Sequence, residues 1–170
     1  MQKNLKNFEG KEAIFVDANI FLHHAFDSNS VSIDFLNKVE LFNLKVYTSA
    51  LVLEEVSFKL LMQSASNFLH KVTMPGVKTL LRDSKKRKEI LHPVEEYMRY
   101  ILLLKESGMG IIELKDSDII GAVQQARAYG LITADAAHLA VMERKGIHHI
   151  ATADNDFKAI PSLCLWTPLA

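Results

Sequence analysis

Four carboxylates, Asp17, Glu55, Asp135 and Asp154, stand where short apolar runs meet helical stretches. Asp17 directly follows the run Ala-Ile-Phe-Val at 13–16, and Asp154 sits just past a second such run, within Ala-Thr-Ala-Asp-Asn-Asp-Phe at 151–157. Glu55 falls in the first turns of a helix that follows a strand-like stretch, and Asp135 opens the helix that precedes the Asp154 run. In an open α/β sheet, ligands bind outside the carboxyl ends of the strands, so these acids can converge on one edge. Crowded carboxylates raise each other's pKa values, and a hard cation between them relieves the repulsion. An all-oxygen ligand set, with no cysteine and no required histidine, selects Mg²⁺ or Mn²⁺. Such ions serve phosphodiester cleavage by activating water, holding the phosphate and neutralising the leaving oxygen, in two-ion sites at a spacing of roughly 3.5–4 Å.

Each acid also has a purely local reading, and that of Asp17 is the weakest. Asp135 could be a helix cap, Asp154 a turn former beside Asn155 and Asp156, and Glu55 the i,i+4 partner of Lys59. An unpaired charge directly after an apolar strand, as at Asp17, has no such easy account. Four acids at one sheet edge favour a site over four separate coincidences.

The elements that must position these acids alternate between strand and helix. Strands are expected over 13–16, 45–49, 111–114, 149–152 and 163–166. Helices are expected over 19–26, 33–42 with Ser32 as N-cap, 51–62, 119–129 behind Asp116-Ser-Asp118, and from Asp135 to about Glu143. Val52, Val56 and Leu60 form the buried stripe of the helix that carries Glu55. In the middle, Pro75-Gly76 breaks the chain, a stretch over 78–89 carries the basic run, and Pro93 is expected at the first position of a further helix. Such alternation implies a parallel sheet covered on both faces. No internal repeat, low-complexity tract or linker interrupts the 170 residues, so a single domain over 1–170 is expected.

Charge and composition narrow the class. The hydrophobic share of 49% and charged share of 24% are those of a globular protein. Net charge is zero, which speaks against a sequence-blind polyanion binder. The distribution is uneven: residues 71–105 carry nine Lys/Arg against four Asp/Glu, and residues 106–170 five against eight. The basic run Arg82, Lys85, Lys86, Arg87 and Lys88 is either a guide for RNA phosphates or a solvated face, and the solvated face is the default. The lone Cys164 excludes an internal disulfide, and neither a signal core nor a membrane-spanning run is present, so a cytoplasmic protein is expected. His23-His24 and His148-His149 are adjacent pairs that do not face one ligand point, which argues against zinc.

The pieces Phe-Val-Asp-Ala-Asn-Ile-Phe-Leu (15–22), Thr-Ser-Ala-Leu-Val-Leu-Glu-Glu-Val (48–56), Thr-Ala-Asp-Ala-Ala-His-Leu-Ala (133–140) and Ala-Thr-Ala-Asp-Asn-Asp-Phe (151–157) occur in this order. On them the chain resembles the PIN-domain ribonucleases, and among these the VapC-like toxin endonucleases. The resemblance covers roughly residues 13–62 and 110–166, and leaves the helical middle at 63–109 unmatched. It implies a three-layer α/β/α fold with a central parallel sheet of about five strands. It implies Asp17, Glu55, Asp135 and Asp154 as metal-holding catalytic acids, with Asn19, Thr152 and Asp156 as helpers behind them. It implies Mg²⁺ or Mn²⁺, an RNA substrate, a homodimer and an antitoxin partner. Glu55 is preferred to Glu54 because the motif places its Glu directly before Val56, and because Glu55 lies nearer the buried stripe. His138, three residues after Asp135, is read as a packing residue.

Two other readings are open. One is a different phosphoryl-transfer enzyme, such as a structured-DNA nuclease or a phosphatase; an aspartyl-phosphate phosphatase would want an Asp where Asn19 stands. The other is a PIN-like module that binds RNA or protein without cleavage, which intact acids at all four positions disfavour.

Overall fold

The computed structural model describes residues 1–42 and 44–169. In chain order its elements are β1 (Gln2–Asn4), β2 (Ile14–Val16), α1 (Ala18–Ala25), α2 (Ser30–Leu41), β3 (Val46–Ser49), α3 (Ala50–Ala65), α4 (Met74–Arg82), α5 (Ser84–Glu106), β4 (Gly110–Ile112), α6 (Asp116–Tyr129), α7 (Thr133–Arg144), β5 (His149–Ala151) and β6 (Cys164–Thr167). The strands form one sheet in the order β1-β6-β5-β2-β3-β4, and every pairing is parallel. Ile14, Phe15 and Val16 of β2 are all buried. Residues that alternate between the two faces of a sheet can all be buried only if both faces are covered.

The sheet has six strands rather than about five. β1 was not legible because its three residues are polar and it lies at the sheet edge, where backbone pairing with Leu165–Thr167 of β6 holds it. Two helix starts also differ from expectation. Asn29, not Ser32, caps α2, its side chain accepting from the Ser32 amide. Pro93 lies inside α5 and not at its start. A proline there removes one backbone bond, but the buried stripe Ile90, Tyr97, Ile101 and Leu104 carries the helix through. Asp83 begins α5, accepting from the amides of Lys85 and Lys86 at 2.9 and 3.0 Å.

Strand order reverses at the centre. From β2 the chain moves outward through β3 and β4, then crosses back through α6 and α7 to β5 on the other side of β2. A crevice opens at such a reversal, outside the carboxyl ends of the two strands. The principal core lies about the sheet, while Ala65, Val77, Leu80 and Ile90 form a second cluster where the end of α3 meets α4 and the start of α5. Among the described residues no helix is long and apolar enough to cross a membrane.

Candidate metal centre

Register brings the first two site residues together. Val16 pairs with Ala151, so the residues that follow, Asp17 and Thr152, leave neighbouring strands side by side. The Thr152 hydroxyl donates to Asp17 Oδ2 at 2.6 Å. Asn19 donates to the same oxygen at 2.5 Å and to Thr152 Oγ1 at 3.0 Å. The Ala18 amide donates to Asp17 Oδ1 at 2.7 Å, which makes Asp17 the N-cap of α1. Asn19 also accepts from the Ala153 amide at 2.8 Å, tying α1 to the loop after β5. Asp17 is 5% exposed. Burial pushes its carboxyl above the ordinary aspartate range, against the opposing pull of the Thr152 hydroxyl.

The same loop carries the next acids. Thr152 Oγ1 accepts from the Asp154 amide at 2.9 Å, and Asp154 Oδ1 accepts from the Asp156 amide at 2.8 Å. This tight turn folds Asp154 and Asp156 toward α7. Carboxylate oxygens of Asp135, Asp154 and Asp156 all lie within 4.8 Å of one another. Asp135 stands in the first turn of α7, where the helix dipole favours an anion. Burial, together with the charges of Asp17 and Asp154, pushes its pKa up to about 6.

Glu55 approaches from α3, whose start is fixed by Ser49 at the end of β3, capping at 3.2 Å to the Val52 amide. Glu54 is exposed and Glu55 is half-buried. The imidazole of His138, with Nε2 3.9 Å from Glu55 Oε2, holds the Glu55 carboxyl below its ordinary range, against the burial that raises it. That separation is too long for a hydrogen bond, so the contact is electrostatic. His138 is fully buried, with its ring packed near Phe15 at 5.9 Å, and neither ring nitrogen has a hydrogen-bond partner.

The placement of each expected residue is therefore uneven. Asp135 and Asp154 fall within one ligand-sized group. Asp156, expected as a helper, falls in that group itself. Asp17 contributes its charge from beside the group, with both oxygens already bonded to protein donors. Glu55 lies outside that group, near enough for its charge to raise the carboxyls of Asp17 and Asp135, with His138 beside it. The position of His138 one helical turn from Asp135 was the available signal. The basic residues Arg82 and Lys85–Lys88 are exposed and stand elsewhere. The ten residues from Glu55 to Ala65 span about 15 Å of helix, and the start of α5 packs at the Ala65 end. One histidine of each pair holds a protein partner: His23 faces Ser32 at 3.1 Å, and His149 accepts from Trp166 Nε1 at 2.9 Å.

These features define an α/β protein whose carboxylates crowd together at a reversal of strand order. The PIN domain family model matches residues 14–163, and the chain belongs to that family. A comparison with curated proteins gives no match. Among solved structures the chain is similar to VapBC2 from Rickettsia felis bound to a DNA fragment from its promoter. Identity is 16% and the TM-score 0.56, over 91% of this chain and 98% of that one. It is similar to VapC20 from Mycobacterium tuberculosis, described as a sarcin-ricin loop cleaving toxin, at 18% identity and a TM-score of 0.57, over 88% and 95%. A toxin-antitoxin complex from Klebsiella pneumoniae matches at 19% identity and a TM-score of 0.55, over 93% and 98%.

Proposed function

We propose that this protein is a metal-dependent endoribonuclease of the VapC kind, the toxin of a toxin-antitoxin pair or an RNA-processing nuclease. The observation that carries the reading is the meeting of Asp135, Asp154 and Asp156 within 4.8 Å, with Asp17 buried beside them. Charges so placed raise one another's proton affinity, and a divalent cation satisfies all of them at once. The donor set is oxygen only, which suits Mg²⁺ or Mn²⁺. Asp135, Asp154 and Asp17 would hold the ion, with Glu55 as a further acid near them and Asp156 completing the group. When bound, such an ion polarises the phosphate and eases deprotonation of water.

The chain's own residues have separable tasks in this reading. Asn19 and Thr152 fix the Asp17 carboxylate through bonds at 2.5 and 2.6 Å. His138, inside the core, lies beside Glu55 and holds its carboxyl below the ordinary range. Asp154 and Asp156 stand on an outer loop within reach of a substrate. The basic run begins α5, where Lys85 and Lys86 face the charge of the Asp83 cap and Arg87 donates to the Leu81 carbonyl at 3.4 Å; its exposed cations form a face that suits contact with RNA phosphates. The family membership and the toxin-antitoxin complexes among its structural relatives support an antitoxin partner, a homodimer and action in the cytoplasm.

The test is cleavage of a mixed RNA with Mg²⁺ or Mn²⁺. Asp17→Asn and Asp135→Asn are each expected to lower the rate by about 100-fold or more, and EDTA to abolish it. Activity surviving in both variants, or persisting in full with EDTA, refutes the proposal.

A further inference from the structure

His138 is a polar side chain shut inside the protein with nothing to bond to. It is fully buried in α7, and neither ring nitrogen has a hydrogen-bond partner among the described residues. A buried donor or acceptor left unpaired carries its whole desolvation cost, and native structures rarely keep one without a reason. Packing does not supply the reason. The ring lies 5.9 Å from that of Phe15, and an apolar side chain would fill the same place without orphaned nitrogens.

The group in front of the ring is Glu55. His138 Nε2 stands 3.9 Å from Glu55 Oε2. The gap is too long for a direct bond of roughly 2.9 Å. It is short for a bridging water, since two bonds of about 2.8 Å meeting at a tetrahedral angle span about 4.4 Å. A shift of about 1 Å closes it to a direct bond. The two side chains differ in their freedom to make that shift. The His138 side chain is wholly enclosed, whereas that of Glu55 is 36% exposed and turns about several torsions. The movement therefore belongs to Glu55. Without a cation, the charges of Asp17 and Asp135 repel its carboxylate; a cation among them turns repulsion into attraction.

The acids also differ in what holds them. Asp17 has three protein donors. The one ion-pair partner of Glu55 among the described residues is His138. His138 lies one turn beyond Asp135 on the same face of α7, so the helix that supplies one acid also carries a donor for another. We infer that His138 is a positioning residue for the candidate metal centre: its Nε2–H donates to one Glu55 carboxylate oxygen when a divalent cation is bound, leaving the other oxygen free to face Asp17 and Asp135. This rests on the reading of the acids as a metal site and deepens it. His138 touches neither cation nor substrate; it acts through Glu55, as a buried donor behind a ligating carboxylate does.

Calorimetric titration of the full chain with Mn²⁺ tests the assignment. His138→Asn is expected to weaken Mn²⁺ binding by about 10–100-fold, because its amide stops short of the Nε2 position. His138→Gln carries an amide nitrogen to that reach and is expected to stay within about threefold of the native chain. In the Glu55→Gln background, His138→Asn is expected to bring no further loss, since the partner it serves is already gone. His138→Leu removes both orphaned nitrogens. It is expected to melt in EDTA no lower than the native chain, yet to bind Mn²⁺ about 10–100-fold more weakly. Equal Mn²⁺ affinity in the Asn and Gln variants overturns the inference, as does a further loss in the Glu55→Gln background. A native chain that binds Mn²⁺ with an affinity His138→Leu leaves unchanged overturns this inference alone. A native chain that takes up no Mn²⁺ overturns the metal reading and this inference with it.

Discussion

Replacing Asp135 by asparagine is expected to stabilise the cation-free protein at neutral pH. Asp135 is 9% exposed. Burial, then the charges of Asp17 and Asp154, push its pKa up to about 6, whereas an aspartate in the unfolded chain titrates near 3.9. Between those values the native state holds a proton that the unfolded chain has released. Stability therefore falls as pH rises through this window, and the whole penalty is present above about pH 6. Two pH units of difference correspond to about 3 kcal/mol. An amide escapes that penalty but loses the attraction of a carboxylate to the start of α7, worth about 0.3–1 kcal/mol. The net gain is about 2 kcal/mol, which for a chain of this size raises Tm by about 4–8 °C.

Thermal melts in EDTA, at about pH 7.5 and about pH 5, measure the effect. Asp135→Asn is expected to melt higher than the native chain at the upper pH, with the gap closing at the lower pH as the native Asp135 takes up its proton. With Mn²⁺ at about a hundred times Kd the order reverses, because binding adds about 2.7 kcal/mol to the native chain and little to the variant. A variant that melts no higher than the native chain in EDTA at about pH 7.5 refutes the electrostatic reasoning.

Two further outcomes follow from the bonds around the sheet edge. Arg144→Met leaves the buried Asp118 carboxylate without its two guanidinium bonds and is expected to lower Tm by several degrees. The Arg144 guanidinium holds the Asp118 carboxyl below its usual range, so the stabilisation is present above the unfolded aspartate pKa and is lost in acid; denaturation at descending pH should show the two chains converging. Thr152→Val keeps the shape but removes the donor to Asp17 and the acceptor for Asn19 and the Asp154 amide. It is expected to destabilise the fold by about 1–3 kcal/mol and to weaken Mn²⁺ binding by about 10–100-fold in calorimetry. Unchanged Mn²⁺ affinity contradicts the positioning role.

What could be read from the sequence was set by how local the signal is. Apolar runs that end in an acid mark β2 and β5, because a strand buried on both faces has to be apolar throughout. β1 carries no such mark, since Gln2, Lys3 and Asn4 are polar and are held by backbone pairing to β6 and by side-chain contacts to Thr167, Trp166 and Leu169. The run through Pro93 depends on Ile90 and Tyr97 finding partners on α3 and elsewhere in the core, which no local preference reports. The grouping of Asp156 with Asp135 and Asp154 depends on a turn closed by one amide-to-carboxylate bond of 2.8 Å. A motif locates these acids but does not say which oxygens meet. The contact between His138 and Glu55 joins α7 to α3 across the sheet edge and has no signature in either segment.

The carboxylates are costly to the fold and are nevertheless held in place. Asp17 receives three protein donors that fix it in a buried position its charge disfavours. Asp135 sits where two neighbouring acids oppose its ionisation, and a proton is the weak remedy available to a cation-free protein at mild acidity. Neither arrangement needs the charge for packing, since asparagine would fill the same space without it. Both become favourable when a divalent cation replaces the proton. A reversal of strand order is the place in this topology where strand ends from both halves of the sheet present such groups to one point. The electrostatic strain of the cation-free site and its proposed affinity for Mg²⁺ or Mn²⁺ are thus one property, which a neutral residue at position 135 should remove from both measurements together.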